Sequence, residues 1–340
     1  MRDLVVVGGG PVGLAAALYA ARAGLDVTVL EQRPGPVDKA CGEGLMPGAV
    51  RDLDTLGVAP PGRELAGIRY LDASRSVDAP FRSGTGRGVR RTALHAALAR
   101  AVDAAGVPVE QRTVGHLAVR EGDVDVDGLS ARHVIAADGL HSPVRRMLGL
   151  EGPAPGRRRF GLRRHFAVAP WTPYVEVYWS PRAEAYVTPV ADDCVGVALL
   201  VDGGGDYDDL LGDLPQLRER LAGAAATRVL GAGPLRQQTT RRVAGRVLLV
   251  GDAAGYVDAL TGEGIALGLA QARAAVAAVG AGDPGAYEAS WRRLTRRHDL
   301  LTRGLLAASA RPAVRSRLVP AAKAAPWLFR AAVNQVARPT

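Results

Sequence analysis

Apolar positions change period from segment to segment along the chain, and each change predicts a different kind of element. Leu4-Val5-Val6-Val7 is a continuous apolar run that stops at Gly8-Gly9-Gly10, and Leu14, Ala17, Leu18 and Ala21 follow at helical spacing. Gly24 ends that helix, and Val27, Val29 and Leu30 begin the next strand. Strand, helix and strand in this order predict a βαβ unit and a parallel sheet. Residues 32–63 are rich in Pro and Gly and read as a long loop, with a short helix around Ala49 to Leu56. A β excursion is expected over 64–86, then a helix from Thr92 to Ala105 with Leu94, Leu98 and Val102 on one face.

Farther along, Val134-Ile135-Ala136-Ala137 and Val247-Leu248-Leu249-Val250 are buried strands that run into Asp138-Gly139 and Gly251-Asp252. Between them the period becomes two: Val175, Val177 and Trp179 alternate with Glu176, Tyr178 and Ser180, and Val195, Val197 and Leu199 alternate likewise. That pattern predicts an antiparallel sheet. A helix is expected from Tyr207 to Leu221, and the chain is helical and basic from Tyr287 onward.

Composition bounds the reading. A chain of 340 residues with 48% hydrophobic and 23% charged residues can bury a sizeable core. Cys41 and Cys194 are too few and too far apart for a disulfide scaffold or a zinc site, and the histidines show no metal spacing, so no metal is expected. No basic region precedes the first strand, and no run of about eighteen apolar residues occurs, so a signal peptide and a membrane span are not expected and the cytoplasm is the default. Net charge is +9, part of it in Arg157-Arg158-Arg159 and Arg163-Arg164 and part in the tail after Trp291. Stacking aromatics are not interleaved with these arginines, which argues against nucleic acid; an anionic dinucleotide or an anionic membrane surface explains the sign as well.

The candidate chemistry sits at strand ends. Gly8-Gly9-Gly10-Pro11-Val12-Gly13 fits G-x-G-x-x-G between a strand and a helix. There Gly8 makes the tight turn, Gly10 admits a pyrophosphate and Gly13 lets helix and sheet approach, with Pro11 and Val12 opening the helix toward the phosphates. Glu31 closes the second strand beside Gln32, where a carboxylate can accept ribose hydroxyls. This unit alone does not separate NAD from FAD. Asp138 and Asp252, each next to a glycine, suit polyol hydroxyls. The helix start at Thr261-Gly262-Glu263-Gly264-Ile265 offers free N–H groups and a positive dipole end.

These motifs, in this order, resemble the flavoprotein monooxygenase fold family typified by para-hydroxybenzoate hydroxylase. Lys39-Ala40-Cys41-Gly42-Glu43-Gly44 and Thr261-Gly262-Glu263-Gly264 bring the chain nearest to that family's geranylgeranyl reductase-like branch. The resemblance implies FAD, with Asp252 on the ribityl chain, Gly264 and Ile265 near the flavin pyrimidine, Arg91 beside the cofactor, and Asp138 and Gly139 linked to both FAD and NAD(P)H. NAD(P)H is then the expected reductant. Aromatic hydroxylases of the family usually carry His-Pro after the GDAA segment, whereas here Gly255-Tyr256 follows. A halogenase motif of the form Trp-x-Trp-x-Ile-Pro is absent.

Cys41 is a candidate proton donor or flavin contact, or a small packing residue. Glu43 is a candidate acid, or a residue that bonds backbone N–H groups in its loop. Tyr174, Tyr178, Trp179 and Tyr186 are candidate pocket walls or packing aromatics. The expected fold is α/β: a Rossmann-like FAD-binding domain with a parallel sheet (1–63, 87–150 and 240–280), an antiparallel-sheet substrate domain (64–86 and 151–239) and C-terminal helices (281–340). The expected function leans to NAD(P)H-driven monooxygenation of a hydrophobic small molecule. The alternatives are C=C reduction of an isoprenoid-type lipid and a non-catalytic FAD-binding protein. The basic C-terminal segment either caps the pocket, makes peripheral membrane contact, or forms an ordinary surface helix.

Overall fold

In the computed structural model, which describes residues 1–154 and 156–337, two sheets share the work of building one large cavity. The last residues of the expected 281–340 helical segment lie outside the described residues.

The first sheet is the predicted βαβ core. Its central strand, Arg2–Val7, lies parallel to Val27–Glu31 on one side and to Leu129–Ala136 on the other. Val247–Leu249 adds in parallel to Leu129–Ala136, and Val109–Gln111 to Val27–Glu31. Leu4, Val5, Val6, Val29, Val134, Ile135 and Leu248 are essentially inaccessible. Such continuous apolar runs are what a parallel sheet covered on both faces requires.

The helices, in chain order, are α1 (Pro11–Arg22), α2 (Pro47–Thr55), α3 (Arg91–Ala104), α4 (Pro143–Met147), α5 (Tyr207–Gly212), α6 (Pro215–Arg220), α7 (Gly264–Gly280), α8 (Ala286–Ser309), α9 (Pro312–Arg315), α10 (Leu318–Ala324) and α11 (Pro326–Val336). The single helix expected from Tyr207 to Leu221 is two helices. Pro215 lacks the N–H that a continuous helix needs there and instead opens α6. Helix α7 packs closely on α1: a side chain at Gly268 would strike Val12.

The second sheet runs in the order Leu230–Ala232, Arg159–Phe166, Cys194–Asp202, Ala183–Ala191, Tyr174–Trp179, Gly67–Leu71, Ser76–Pro80. It is antiparallel except where Tyr174–Trp179 meets Gly67–Leu71 in parallel register. Those two strands come from distant parts of the chain, so no hairpin turn dictates their direction. Both faces of this sheet are covered. Tyr178, Leu199 and Val201 pack against Leu210, Leu217 and Leu221 of α5–α6 and the turn that follows, while Val177 and Leu200 face the cavity and the C-terminal helices.

Arg159 and Arg163, which contributed to the apparent basic surface, are buried in this sheet. Arg159 pairs with Glu184 and, at 3.4 Å, with Asp258; Glu184 also takes Arg315 of α9 at 3.0 Å. A buried arginine survives only with such partners.

Candidate functional site

The cavity measures about 1020 Å³ and has two chemically distinct ends. One end is a crevice at the carboxyl edge of the parallel sheet, the place where open α/β sheets bind ligands. The other is an apolar chamber between the second sheet and helices α8, α10 and α11.

The crevice is made mainly of backbone. Gly8 has φ +103°, and a Cβ there would sit 2.5 Å from the Ala137 carbonyl oxygen. A Cβ at Gly13 would collide with the Gly8 carbonyl, so α1 can start where it does only with glycine at that position. Gly10 has nothing closer than an Arg91 nitrogen at 3.9 Å, which leaves open the approach a pyrophosphate needs. Arg91 Nε is buried without a partner, a donor still waiting for an acceptor. His95 Nε2 lies 3.0 Å from the Gly9 carbonyl oxygen and braces the turn from α3, and burial lowers its pKa.

Glu31 is buried, and Gly9 N–H donates to its Oε2 at 2.7 Å. Its Oε1 accepts from Arg33 N–H at 3.0 Å and from Arg33 Nε at 3.1 Å, while Oε2 keeps a lone pair for a ribose hydroxyl. Asp138 is divided between tasks: Oδ2 accepts the Val144 N–H at 3.0 Å and caps α4, while Oδ1 is buried without a partner. Desolvation raises its pKa. Asp252 pairs with Lys39 Nζ at 3.2 Å across the crevice. Gly8, Gly10, Pro11, Val12, Glu31, Gln32, Arg91, Asp138, Gly139, Gly251, Asp252, Gly262, Gly264 and Ile265 all line the cavity. Gly13 stands behind it, as a packing glycine. The orphaned Arg91 and Asp138 atoms, the open Gly10 approach and the start of α7 together fit a dinucleotide cofactor.

The Cys41 loop lies where the two ends meet. Asp38 pairs with buried Arg163 before it, and Glu43 is buried at φ +60°, an uncommon conformation for a non-glycine residue, just after it. Glu43 Oε2 lies 2.7 Å from His165 Nε2, and its Oε1 accepts the Arg91 N–H at 2.9 Å. His165 Nδ1 in turn meets Arg163 at 2.9 Å. A side chain at Gly196 would crowd the carboxylate from below. Thr188 donates to the Gly42 carbonyl at 2.7 Å. The loop is thus clamped on both sides, and Lys39, Ala40 and Cys41 project into the cavity between the clamps. Of the two readings of Glu43, an acid or a residue that bonds backbone N–H groups, the geometry fits the second: its carboxylate meets the Arg91 N–H and His165 Nε2 and does not line the cavity.

Several residues here were not singled out from sequence. Lys39 faces Asp252. Tyr256 lines both the crevice and the chamber, with its hydroxyl kept protonated by burial. Arg145, fully buried, donates to the carbonyls of Ala253 (3.1 Å) and Leu140 (2.9 Å), tying the two aspartate motifs together. Its place a few residues after Asp138-Gly139 was the available signal. Of the aromatics proposed as walls, Tyr186 lines the cavity and donates to the Leu260 carbonyl at 3.0 Å. Tyr174, Tyr178 and Trp179 pack elsewhere: under Arg69, against α5–α6, and between Tyr70 and Arg315 respectively.

A parallel sheet with a glycine turn, a ribose-facing carboxylate and a helix start on the same crevice defines a flavin-type dinucleotide oxidoreductase. The chain belongs to the FAD-dependent oxidoreductases. Residues 3–56 match the FAD dependent oxidoreductase family. The chain is 30% identical to menaquinone reductase of Mycolicibacterium smegmatis, over 87% of this chain and 80% of that one. It is 28% identical to digeranylgeranylglycerophospholipid reductase 1 of Methanothermobacter thermautotrophicus, over 83% and 78%. In fold it is similar to a geranylgeranyl bacteriochlorophyll reductase-like protein of Thermoplasma acidophilum, with a TM-score of 0.77, 23% identity, and coverage of 94% and 90%.

Proposed function

We propose that the protein is an FAD-dependent reductase of carbon–carbon double bonds in an isoprenoid-type lipid. The observation that carries this reading is the junction: a long apolar chamber opens into the cofactor crevice, and the thiol of Cys41 stands where they meet. Its full-length relatives named as reductases support the same reading. Bound FAD would supply hydride from N5 of its reduced form, and NAD(P)H is the proposed source of the electrons.

The residues of the chain have separate tasks. Glu31 and the turn at Gly8–Gly13 hold the adenosine and pyrophosphate. Asp252 and Lys39 would face the ribityl chain of bound FAD, and the N-terminus of α7 would stabilise negative charge on its flavin ring. Cys41 supplies the proton that completes addition of H₂ across the double bond, and Tyr256 offers a protonated phenol to the same space. The apolar walls exclude water and position the chain of the lipid.

Monooxygenation, the function the sequence favoured, needs the same dry chamber and is the other outcome of one experiment. FAD-loaded protein is incubated anaerobically with NAD(P)H and a menaquinone or geranylgeranyl lipid, and the lipid is analysed by mass spectrometry. Product that carries two added hydrogens in its isoprenoid chain, after any quinol has been reoxidised, supports the proposal, and Cys41→Ser should lower its turnover by about 100-fold with FAD retained. No reduced lipid anaerobically, together with a hydroxylated product and oxygen uptake in air, would establish the monooxygenase instead.

A further inference from the structure

The apolar chamber does not end inside the protein. Ala321, Leu328 and Ala332 line the cavity and are also exposed, so its far end opens to the outside between α10 and α11. Beside that mouth, Trp327 is 72% exposed and Leu328 57% exposed, at the first turn of α11. Two large apolar neighbours on a helix whose opposite side is buried are unusual on a surface that only meets water.

The charge of the segment that forms the mouth is one-sided. From Leu300 to Thr340 the chain contains no Asp or Glu, while it contains Arg303, Arg311, Arg317, Lys323 and Arg330. Some cationic and polar residues of this segment hold it to the body of the protein. Arg315 binds Glu184 and the Ser180 carbonyl, Arg330 donates to the Asp78 carbonyl, and Asn334 bridges Arg82 and Pro80. With the segment anchored in this way, Arg311, Arg317 and Lys323 of the same segment remain exposed. An exposed aromatic residue and leucine, on a segment that carries exposed cations and no anion of its own, complement an anionic bilayer surface: the rings and methyls enter the headgroup boundary while the cations meet lipid phosphates.

We infer that α10 and α11 dock on an anionic membrane with Trp327 and Leu328 inserted, so that the mouth of the chamber opens directly into lipid. A lipid substrate then slides from the bilayer between α10 and α11 to the flavin without exposing its chain to water. This inference rests on the lipid-reductase reading for its purpose, but the docking itself is a property of the surface and is measured without turnover.

The test is sedimentation of the FAD-loaded protein with vesicles of phosphatidylglycerol and phosphatidylcholine, compared with vesicles of phosphatidylcholine alone. The expected result is binding to the anionic vesicles that weakens on raising NaCl and is at least about tenfold weaker on the neutral ones. A Trp327→Ser/Leu328→Ser variant and, separately, an Arg311→Glu/Arg317→Glu/Lys323→Glu variant should each lose roughly tenfold or more in binding while keeping FAD and the thermal midpoint. Failure of the wild-type protein to bind anionic vesicles would overturn the inference. So would equal binding by the variants, or a stable dimer in analytical ultracentrifugation that the Trp327/Leu328 variant dissolves, since the apolar pair would then belong to a second copy. If vesicle binding fails but solubilised lipid is still reduced, only the docking is lost. If binding holds and no lipid is reduced, only the proposed function is.

Discussion

The two ends of the cavity are built from different materials. The cofactor crevice is made of backbone: a turn at Gly8–Gly13, carbonyls and N–H groups at strand ends, and helix starts at Pro11 and Gly264. The chamber is made of side chains presented by a sheet and by helices on separate stretches of chain. Backbone has one shape and tolerates no added atom, whereas a wall of Val, Leu and Ala can change residue by residue. A dinucleotide never varies and a lipid tail varies in length and branching, so each end is matched to what it would hold.

The sharpest way to break this contrast is Gly13→Val. The added side chain has nowhere to go but the Gly8 carbonyl, so the expected outcome is loss of FAD absorbance and a destabilisation on the order of 3 kcal/mol or more, checked by flavin content and denaturant unfolding. A protein that keeps its flavin and its unfolding midpoint would show that the turn adapts after all.

At the junction between the ends, Glu43→Leu leaves His165 buried without its carboxylate, while Arg163 keeps Asp38, and about 3 kcal/mol of stability should be lost in urea titration. Because the dinucleotide turn is untouched, flavin affinity should fall far less than it does for Gly13→Val.

At the edge of the chamber, burial pushes Asp258 up to about 6, against an ordinary value of 3.8. The folded protein therefore holds this proton more tightly than the unfolded chain does. The contribution is neutral at low pH, where both forms are protonated, and turns unfavourable as pH rises from 3.8 through 6. Asp258→Asn removes that change. Its stability relative to the native protein should rise between pH 4.5 and pH 8, by about 2 kcal/mol in paired thermal melts. The smallest effect is expected for Val177→Ala, which faces space already open: about 1 kcal/mol, at the low end for loss of buried methyl groups.

The same contrast explains what was readable in the sequence. The crevice leaves marks because backbone demands glycine at fixed spacing, and those marks lie within a few residues of each other. Glu43 and His165 are 122 positions apart, and nothing in either neighbourhood announces the other. The arginines at 159 and 163 look like surface charge until Glu184, Asp258 and Asp38 arrive from other strands and loops. The break at Pro215 was legible in the proline itself, which marks a helix boundary inside an otherwise helical pattern, although the expected helix ran straight through it. The second covered face of the pocket sheet was not, because Glu176 and Tyr178 alternate like solvent-facing residues. They are instead bonded to each other at 2.8 Å beneath α5 and α6.

On the chamber side of α10 and α11, Leu318, Leu328, Phe329, Val333 and Val336 share the wall with four alanines, Ala321, Ala322, Ala325 and Ala332. Each is a position where one substitution alters the depth of the channel and leaves the flavin end alone. A bulky residue near Ala325 would act as a stop and one at Ala332 would narrow the entrance, so the chain carries in its last helices a ruler that selection can reset one alanine at a time.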